Sequence, residues 1–409
     1  MKILIISTYD LYGGAAIAAN RLLQALNKHG VQAKMIVREK QSNDENIIEV
    51  GTKIGNKLRF VWERVVIFLR NGFSRKHLFD VSIANTGVSV MNLPEFKEAD
   101  VIHLHWINQG MLSLNEIGRI LRSGKKIVWT MHDMWPFSGA WHHVPNRENY
   151  PYSLDKCRDT SFAHSENISR SVYLKKQKQY RKHLIHFVAC SCWLKKLAVK
   201  SELTNEHNVE AIPNPIDTTQ FFPKEKSQIR EKFGLPKNKK IILFAAAKLS
   251  DIRKGTAYML EATSMLVQKR NDIVCMAAGK NAAQIKDMLL MPTYCLGYVG
   301  TNEMVDVYNA ADVFVTPSLQ ENLPNTIMES LACGVPCVGF DVGGIPEMID
   351  HKQNGYVAEY KNAADLAKGI LWTLFEADAE TLRHNAREKT LRAYNEKAIV
   401  QEYLKIYRR

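Results

Sequence analysis

Short apolar runs alternate with longer stretches of helical period along this chain, and nothing else in the sequence narrows the possible folds as much. Such alternation points to parallel sheets covered by helices. Residues 2–7 form the first apolar run, a turn over 9–14 follows, and an amphipathic helix then extends to about Lys28. Further strands are expected over 31–37, 101–105, 126–132, 187–191 and 209–212. The segment Pro213-Asn214-Pro215-Ile216-Asp217 then interrupts the pattern, because two prolines around one residue continue neither a helix nor a central strand. Beyond it the alternation resumes, with strands over 240–247, 273–279, 295–300, 313–318 and 336–340 and helices such as 256–269 and 302–310. One long helical pattern runs from about Ala379 to Arg408. The expected fold class is therefore α/β, with two doubly wound Rossmann-like domains in tandem, whose ligands bind at the carboxyl ends of the strands. The domains are placed at 1–212 and 213–385, with a helix over about 386–409 packing back on the first.

A chain of 409 residues is long enough for two cores. The opening MKILIISTYD is too short for a signal-peptide core and reads as a buried strand. No uncharged apolar run reaches the length of a membrane-spanning helix. Seven cysteines without a dense framework suit a reducing compartment, so a cytoplasmic location is expected. Cys190-x-Cys192 and Cys333-x3-Cys337 lie in apolar stretches and read as small buried hydrophobes rather than zinc ligands. The net charge of +13 is uneven, since residues 1–212 hold 30 basic against 19 acidic side chains. A field of that sign favours an anionic partner: a membrane surface, a phosphorylated acceptor or nucleic acid.

The segment richest in chemistry is PSLQENLPNTIMESLACGVPCVGFDVGGIPE, residues 317–347. A strand ends at Ser318, a loop carries Glu321, and a helix starting near Asn325 carries Glu329. A helix N-terminus aimed at a ligand presents free N–H groups, which suit phosphate or sugar oxygens, and an ionised carboxylate can accept two hydrogen bonds from a diol. Taken alone, the two glutamates read better as solvated surface charges. Upstream, AAAKLSDIRKG places Lys248 at a strand end and Lys254 beside Gly255, cations that could neutralise a diphosphate. Tyr298 and Val299, between a strand and a helix, offer an aromatic face and backbone groups for a nucleobase. Gly343-Gly344 permits close backbone approach. In the first half, Gly13 and Gly14 join strand one to its helix but form only part of a G-x-G-x-x-G pattern, and His132 ends a strand within WTMHDMWP.

In combination these pieces resemble the family 4 retaining glycosyltransferases of GT-B architecture, over nearly the whole chain. The strongest carrier is E-x7-E, here Glu321 to Glu329, followed by SLACGVPCVGFDVGGIPEMI. The Gly13-Gly14 loop, the His132 strand end, AIPNPID and AAAKLSDIRKG support it, and TMHDMWPFSGAWHH is similar to members that build bacterial surface polysaccharides. The resemblance implies two Rossmann-like domains facing across a cleft, the first holding the acceptor and the second the donor. It implies that Glu329 holds the ribose, and that Glu321 with the backbone of Asn322 and Leu323 contacts the donor sugar. Lys254 matches the diphosphate-binding lysine, and Lys248 stands where many members carry Arg. His132 matches the histidine near the reacting carbon, and Gly14 the loop glycine beside the donor phosphate or acceptor. The sequence Asn-Leu-Pro-Asn after Glu321 departs from the Gly-Phe-Gly of many members and leaves the donor sugar open. The implied reaction moves a hexose-type sugar from a UDP- or GDP-linked donor to a glycan or lipid-linked acceptor, with retention. No Asp-x-Asp stands out, so no metal and no cofactor is expected.

Two basic segments complete the picture. Residues 53–77 interleave Lys and Arg with Phe60, Trp62, Val66, Phe68 and Leu69, as a helix lying at a membrane interface would. A core-facing helix with a solvated charged side fits the same pattern. Residues 175–200 add Lys175, Lys176, Lys178, Arg181, Lys182, Lys195 and Lys196. A lipid-linked acceptor would bring such an enzyme to the inner face of the membrane, where anionic lipid could be touched peripherally. The rival readings are a nucleotide-sugar epimerase of the same architecture, which would turn over its donor without an acceptor, and a basic nucleic-acid-binding protein. For the latter no reading motif is present, and no nucleic-acid partner is expected.

Overall fold

The apolar runs form strands buried on both faces, as parallel sheets require. The computed structural model describes residues 1–144 and 166–409. They divide into two compact units, Met1–Asn214 with Ile399–Arg409, and Pro215–Ala398.

The first unit opens with β1 (Lys2–Tyr9), α1 (Gly14–Lys28), β2 (Gln32–Glu39) and β3 (Ile47–Glu49). After α2 (Lys53–Arg70) and α3 (Pro94–Glu98) come β4 (Val101–Leu104), α4 (Leu114–Leu121) and β5 (Lys126–Met131). It continues with α5 (Glu166–Tyr180), β6 (His186–Ala189), α6 (Cys192–Ala198) and β7 (Asn208–Ala211). The seven strands are all parallel, in the order β3-β2-β1-β4-β5-β6-β7. One face packs Leu4, Ile6, Ile102, Leu104 and Trp129 into the larger core. The other packs Ile3, Ile5, Val101 and Val128 against α1 and the end of the chain.

The second unit contains α7 (Lys226–Lys232), β8 (Lys240–Lys248), α8 (Thr256–Lys269), β9 (Ile273–Lys280), α9 (Ala282–Lys286) and β10 (Thr293–Gly297). It goes on with α10 (Thr301–Ala310), β11 (Val313–Thr316), α11 (Asn325–Ala332), β12 (Cys337–Phe340), α12 (Ile345–Met348), β13 (Gly355–Ala358) and α13 (Ala363–Leu371). Its six parallel strands are ordered β10-β9-β8-β11-β12-β13. The edge strands β3 and β13 are short additions to those expected from the sequence.

The single long helix expected at the end is two helices, α14 (Ala379–Ala393) and α15 (Glu396–Arg408). Asn395 breaks the run: it forms a parallel bridge to Ile216, and its Oδ1 accepts from the Lys397 N–H at 2.9 Å, as a helix cap does. Residues 386–398 remain with the second unit, and Ile399–Arg409 join the first, burying Ile399, Val400, Tyr403, Leu404, Ile406 and Tyr407.

Candidate functional site

In the second unit the loops at the carboxyl ends of β8, β11 and β12 are tied to one another. The Leu319 N–H donates to the Arg253 carbonyl at 2.7 Å, and the Gly344 N–H to the Asn322 carbonyl at 2.7 Å. Gly255 and Gly343 both adopt positive φ, where a side chain would also overlap the carbonyl oxygens of Pro317 and Glu321 respectively. Glycine is therefore required at both positions by conformation and by space. These contacts bring together two of the candidates, since Lys254 Nζ forms an ion pair with Glu321 Oε1. The Ser318 hydroxyl donates to the same carboxylate at 3.2 Å.

Glu329 lies in α11, one helical turn in, and is buried. The Tyr308 hydroxyl of α10 donates to its Oε2 at 2.7 Å, fixing the carboxylate. Asn322 and Leu323 are buried in the loop that leads to the helix. Lys248 ends β8 exposed, in register with the exposed Lys280 at the end of β9. Tyr298, three-quarters exposed, and Val299 sit between β10 and α10. These positions of the second unit thus offer two anchored carboxylates, one paired ammonium, the exposed ammoniums of Lys248 and Lys280, and an exposed aromatic ring. Tyr308 and Lys280 were not singled out from the sequence. No local signal identifies the first, while the second stands at a strand end, as Lys248 does.

At the carboxyl edge of the first unit, Gly13 caps α1 at φ 90°. No atom lies close to where its side chain would be, so the backbone angle alone calls for glycine. Gly14 begins the helix, and both glycines are exposed.

His132, partly exposed, follows β5 and is one end of a chain of histidines whose other members, His105 and His103, are buried. Its Nε2 lies 2.9 Å from His105 Nδ1, and the His105 ring lies 4.4 Å from the His103 ring. His103 Nε2 meets Thr130 Oγ1 at 2.8 Å and its Nδ1 meets the Tyr407 hydroxyl at 2.7 Å. Tyr403 reaches the same Thr130 oxygen at 2.9 Å. Burial lowers all three imidazole pKa values, His132 to about 4, His103 to about 3 and His105 well below the usual value. All three are neutral at pH 7. Cys190 Sγ lies 3.5 Å from His132 Nδ1, but burial raises that thiol's pKa, so the contact joins neutral groups. His103 and His105 were missed in the sequence, although spacing of two along a strand puts both on one face.

Asp133, also not singled out, accepts from Trp106 Nε1 at 2.8 Å and contacts His142 Nδ1 at 2.7 Å. Burial alone would raise its pKa, but His142, His143 and the Trp135 N–H outweigh that and hold it at about 2. His142 Nε2 meets Ser82 Oγ at 3.0 Å, completing an Asp-His-Ser series of the kind that activates nucleophiles. Ser82 is fully buried, so no substrate can reach its hydroxyl, and the series ties the segments that carry Ser82, Asp133 and His142 to one another. Of the cysteines, Cys190, Cys275, Cys333 and Cys337 are buried and Cys295 is half-buried, whereas Cys192 is exposed at the start of α6. Cys157 lies outside the described residues.

Comparison with known proteins agrees along the chain. The family model described as Glycosyltransferase Family 4 matches residues 12–220, and that described as Glycosyl transferases group 1 matches residues 225–391. An uncharacterized glycosyltransferase of Methanocaldococcus jannaschii is 25% identical over 350 residues, covering 78% of this chain and 87% of the relative. The N,N'-diacetylbacillosaminyl-diphospho-undecaprenol alpha-1,3-N-acetylgalactosaminyltransferase of Campylobacter jejuni is 29% identical over 56% of this chain and 66% of its own length. In structure, Anabaena HepE in complex with UDP-glucose superposes with a TM-score of 0.67 at 15% identity, over 99% of this chain and 98% of that one. The two Rossmann-like sheets are those of the GT-B fold.

Proposed function

This chain belongs to glycosyltransferase family 4, and on that footing we propose that it moves a hexose-type sugar from a UDP- or GDP-linked donor to a glycan or lipid-linked acceptor, in surface polysaccharide synthesis, with the anomeric configuration retained. The observation that carries the reading is the Lys254–Glu321 pair, held by glycine-tightened loops, one of which leads into the helix that carries the Tyr308-anchored Glu329. A cation beside a carboxylate is what a diphosphate joined to a sugar needs: charge for the phosphates, hydrogen-bond acceptors for the hydroxyls. The relative named for a diphospho-undecaprenol substrate supports a lipid-linked acceptor, and the HepE complex supports a UDP-sugar.

In this reading the second unit takes the donor. Glu329 holds the ribose, Glu321 and the backbone of Asn322 and Leu323 hold the sugar, and Tyr298 with Val299 lies against the base. Lys254 and Lys248 stabilise the leaving diphosphate. Gly13, Gly14 and His132 take their family roles toward the donor phosphate, sugar or acceptor. His132 is neutral, so it acts as a hydrogen-bonding group rather than a cation. The bond from the anomeric carbon to the diphosphate oxygen breaks, and the bond to the acceptor oxygen forms on the same face. The acceptor proton passes to a diphosphate oxygen. No divalent cation and no cofactor is required. The acceptor's lipid would bring the protein peripherally to an anionic membrane face.

A thermal-shift series with UDP- and GDP-linked hexoses, run in EDTA, tests this. A donor at about a hundred times its Kd stabilises the folded chain by about 2.7 kcal/mol. The expected result is a rise in Tm for one nucleotide class that persists in EDTA and is lost in Lys254→Ala. No shift with any donor, or one that appears only with added Mg²⁺ or Mn²⁺, contradicts the proposal.

A further inference from the structure

Helix α2 faces the wrong way for a helix that serves only the core. The side chains it buries include Asn56, Glu63 and Arg64, with Ile67 among them. Asn56 Nδ2 donates to the carbonyls of Arg38 and Val50, at 2.8 and 2.9 Å. Glu63 Oε1 accepts from the N–H groups of Ile83 and Ala84, both at 2.9 Å. Arg64 donates to the carbonyls of Leu78 and Val81 and pairs with Glu63 at 2.9 Å. These bonds pin the polar face inward, and turning the helix over would leave buried charges unpaired.

The outward face is correspondingly apolar. Ile54, Leu58, Val61, Trp62, Val65 and Leu69 recur at helical spacing on one side, and Ile54, Leu58 and Trp62 are 75%, 64% and 56% exposed. Phe73 and Phe79 extend the patch beyond the helix. An apolar stripe of this length on the surface marks a place of contact. Its border is cationic. Lys53, Lys57, Arg70, Arg75 and Lys76 are exposed; the only carboxylate within residues 53–77 is the buried Glu63, and beside Phe79 the exposed Asp80 is held by His77 Nδ1 at 2.8 Å.

We infer that α2 is a membrane-docking helix, which lies flat on an anionic phospholipid surface with Ile54, Leu58, Trp62, Val65 and Leu69 among the acyl chains and the flanking cations among the headgroups. Apolar side chains framed by Lys and Arg complement such a surface on both counts, hydrophobic and electrostatic. A protein partner or a second copy of this chain would match the apolar stripe but would leave the cationic border unexplained. The helix does not cross the bilayer, because no helix among the described residues is long and apolar enough. The inference deepens the transferase reading by giving the lipid-linked acceptor a surface on which to be met. Its test uses neither donor nor acceptor, so either idea can fail without the other.

The experiment is co-sedimentation of the full chain with phosphatidylcholine vesicles, with and without phosphatidylglycerol, combined with quenching of tryptophan fluorescence by brominated acyl chains. Binding is expected to the anionic vesicles, weakened by high salt, with quenching that Trp62→Phe largely removes. Leu58→Glu and Val65→Glu lie on the exposed face and should keep the parent Tm while weakening binding about tenfold or more. Lys57→Glu should weaken it as well. No binding, equal binding to neutral vesicles, or undiminished binding by the glutamate variants would overturn the inference. So would a dimer in sedimentation velocity that Leu58→Glu dissociates.

Discussion

At the scale of single residues, the histidine chain from His132 to His103 gives the clearest consequence of burial. In the folded protein His132 and His103 protonate only near pH 4 and 3, whereas an unfolded histidine does so near 6.5. As pH falls below about 6.5 the unfolded chain therefore takes up protons that the folded chain refuses, and stability drops. Each such histidine contributes up to about 1.4 kcal/mol per pH unit across that window. Urea unfolding at pH 7 and pH 5 should show a large loss for the parent and a smaller difference for His103→Phe, whatever the variant's absolute stability. An unchanged difference would mean that His103 is not held neutral by burial. This cluster was not legible in the sequence, because a histidine on a strand acquires meaning only when Tyr403 and Tyr407, about 300 positions away, close over it, as they do over His103. Glu321 and Glu329 were legible, because a strand end, a loop and a helix start within a dozen residues fix where they stand. Their anchors Lys254 and Tyr308 come from other elements, and only the lysine carried a local sign, its neighbour Gly255.

Among the elements, α2 and α15 depart furthest from what periodicity can tell. The alternation of charge and bulk over residues 53–77 announced an amphipathic helix, but a helical wheel does not say which face meets the core. That was decided by partners outside the helix: the carbonyls of Arg38, Val50, Leu78 and Val81 and the N–H groups of Ile83 and Ala84. For α15 the helical pattern was plain and its break at Asn395 was not, since asparagine in a helical run becomes a cap only when the chain turns there. The helix buries six large apolar side chains against the first sheet. At roughly 1.5–3 kcal/mol each, this burial is comparable to the whole stability of a domain. A chain ending at Ala398 should therefore lose the cooperative unfolding of its first unit in calorimetry, or fail to remain soluble. Parent-like unfolding of that chain would show that α15 is dispensable.

For the molecule as a whole, the tandem arrangement of two parallel sheets was readable because each strand is a continuous apolar run and each crossover a helical one. The Pro213-Asn214-Pro215 stretch marked where one sheet's residues give way to the other's, and the observed division falls between Asn214 and Pro215. The short outer strands β3 and β13 were not readable, since three or four residues at a sheet edge carry no period of their own. The central claim is that Glu329 and Glu321 serve one donor in different ways. Contacts to the ribose are the same before and during transfer, so losing the Glu329 charge removes uniform binding. Contacts to the sugar change as the anomeric bond breaks, so losing the Glu321 charge removes transition-state stabilisation. A charge-assisted hydrogen bond is worth about 1.5–3 kcal/mol, or roughly 10- to 150-fold in the affected constant. The deciding measurement is steady-state kinetics of Glu329→Gln and Glu321→Gln with the donor that stabilises the parent. The first should raise donor KM by that factor at nearly unchanged kcat, and the second should lower kcat. Parent-like kinetics in both variants would contradict the account.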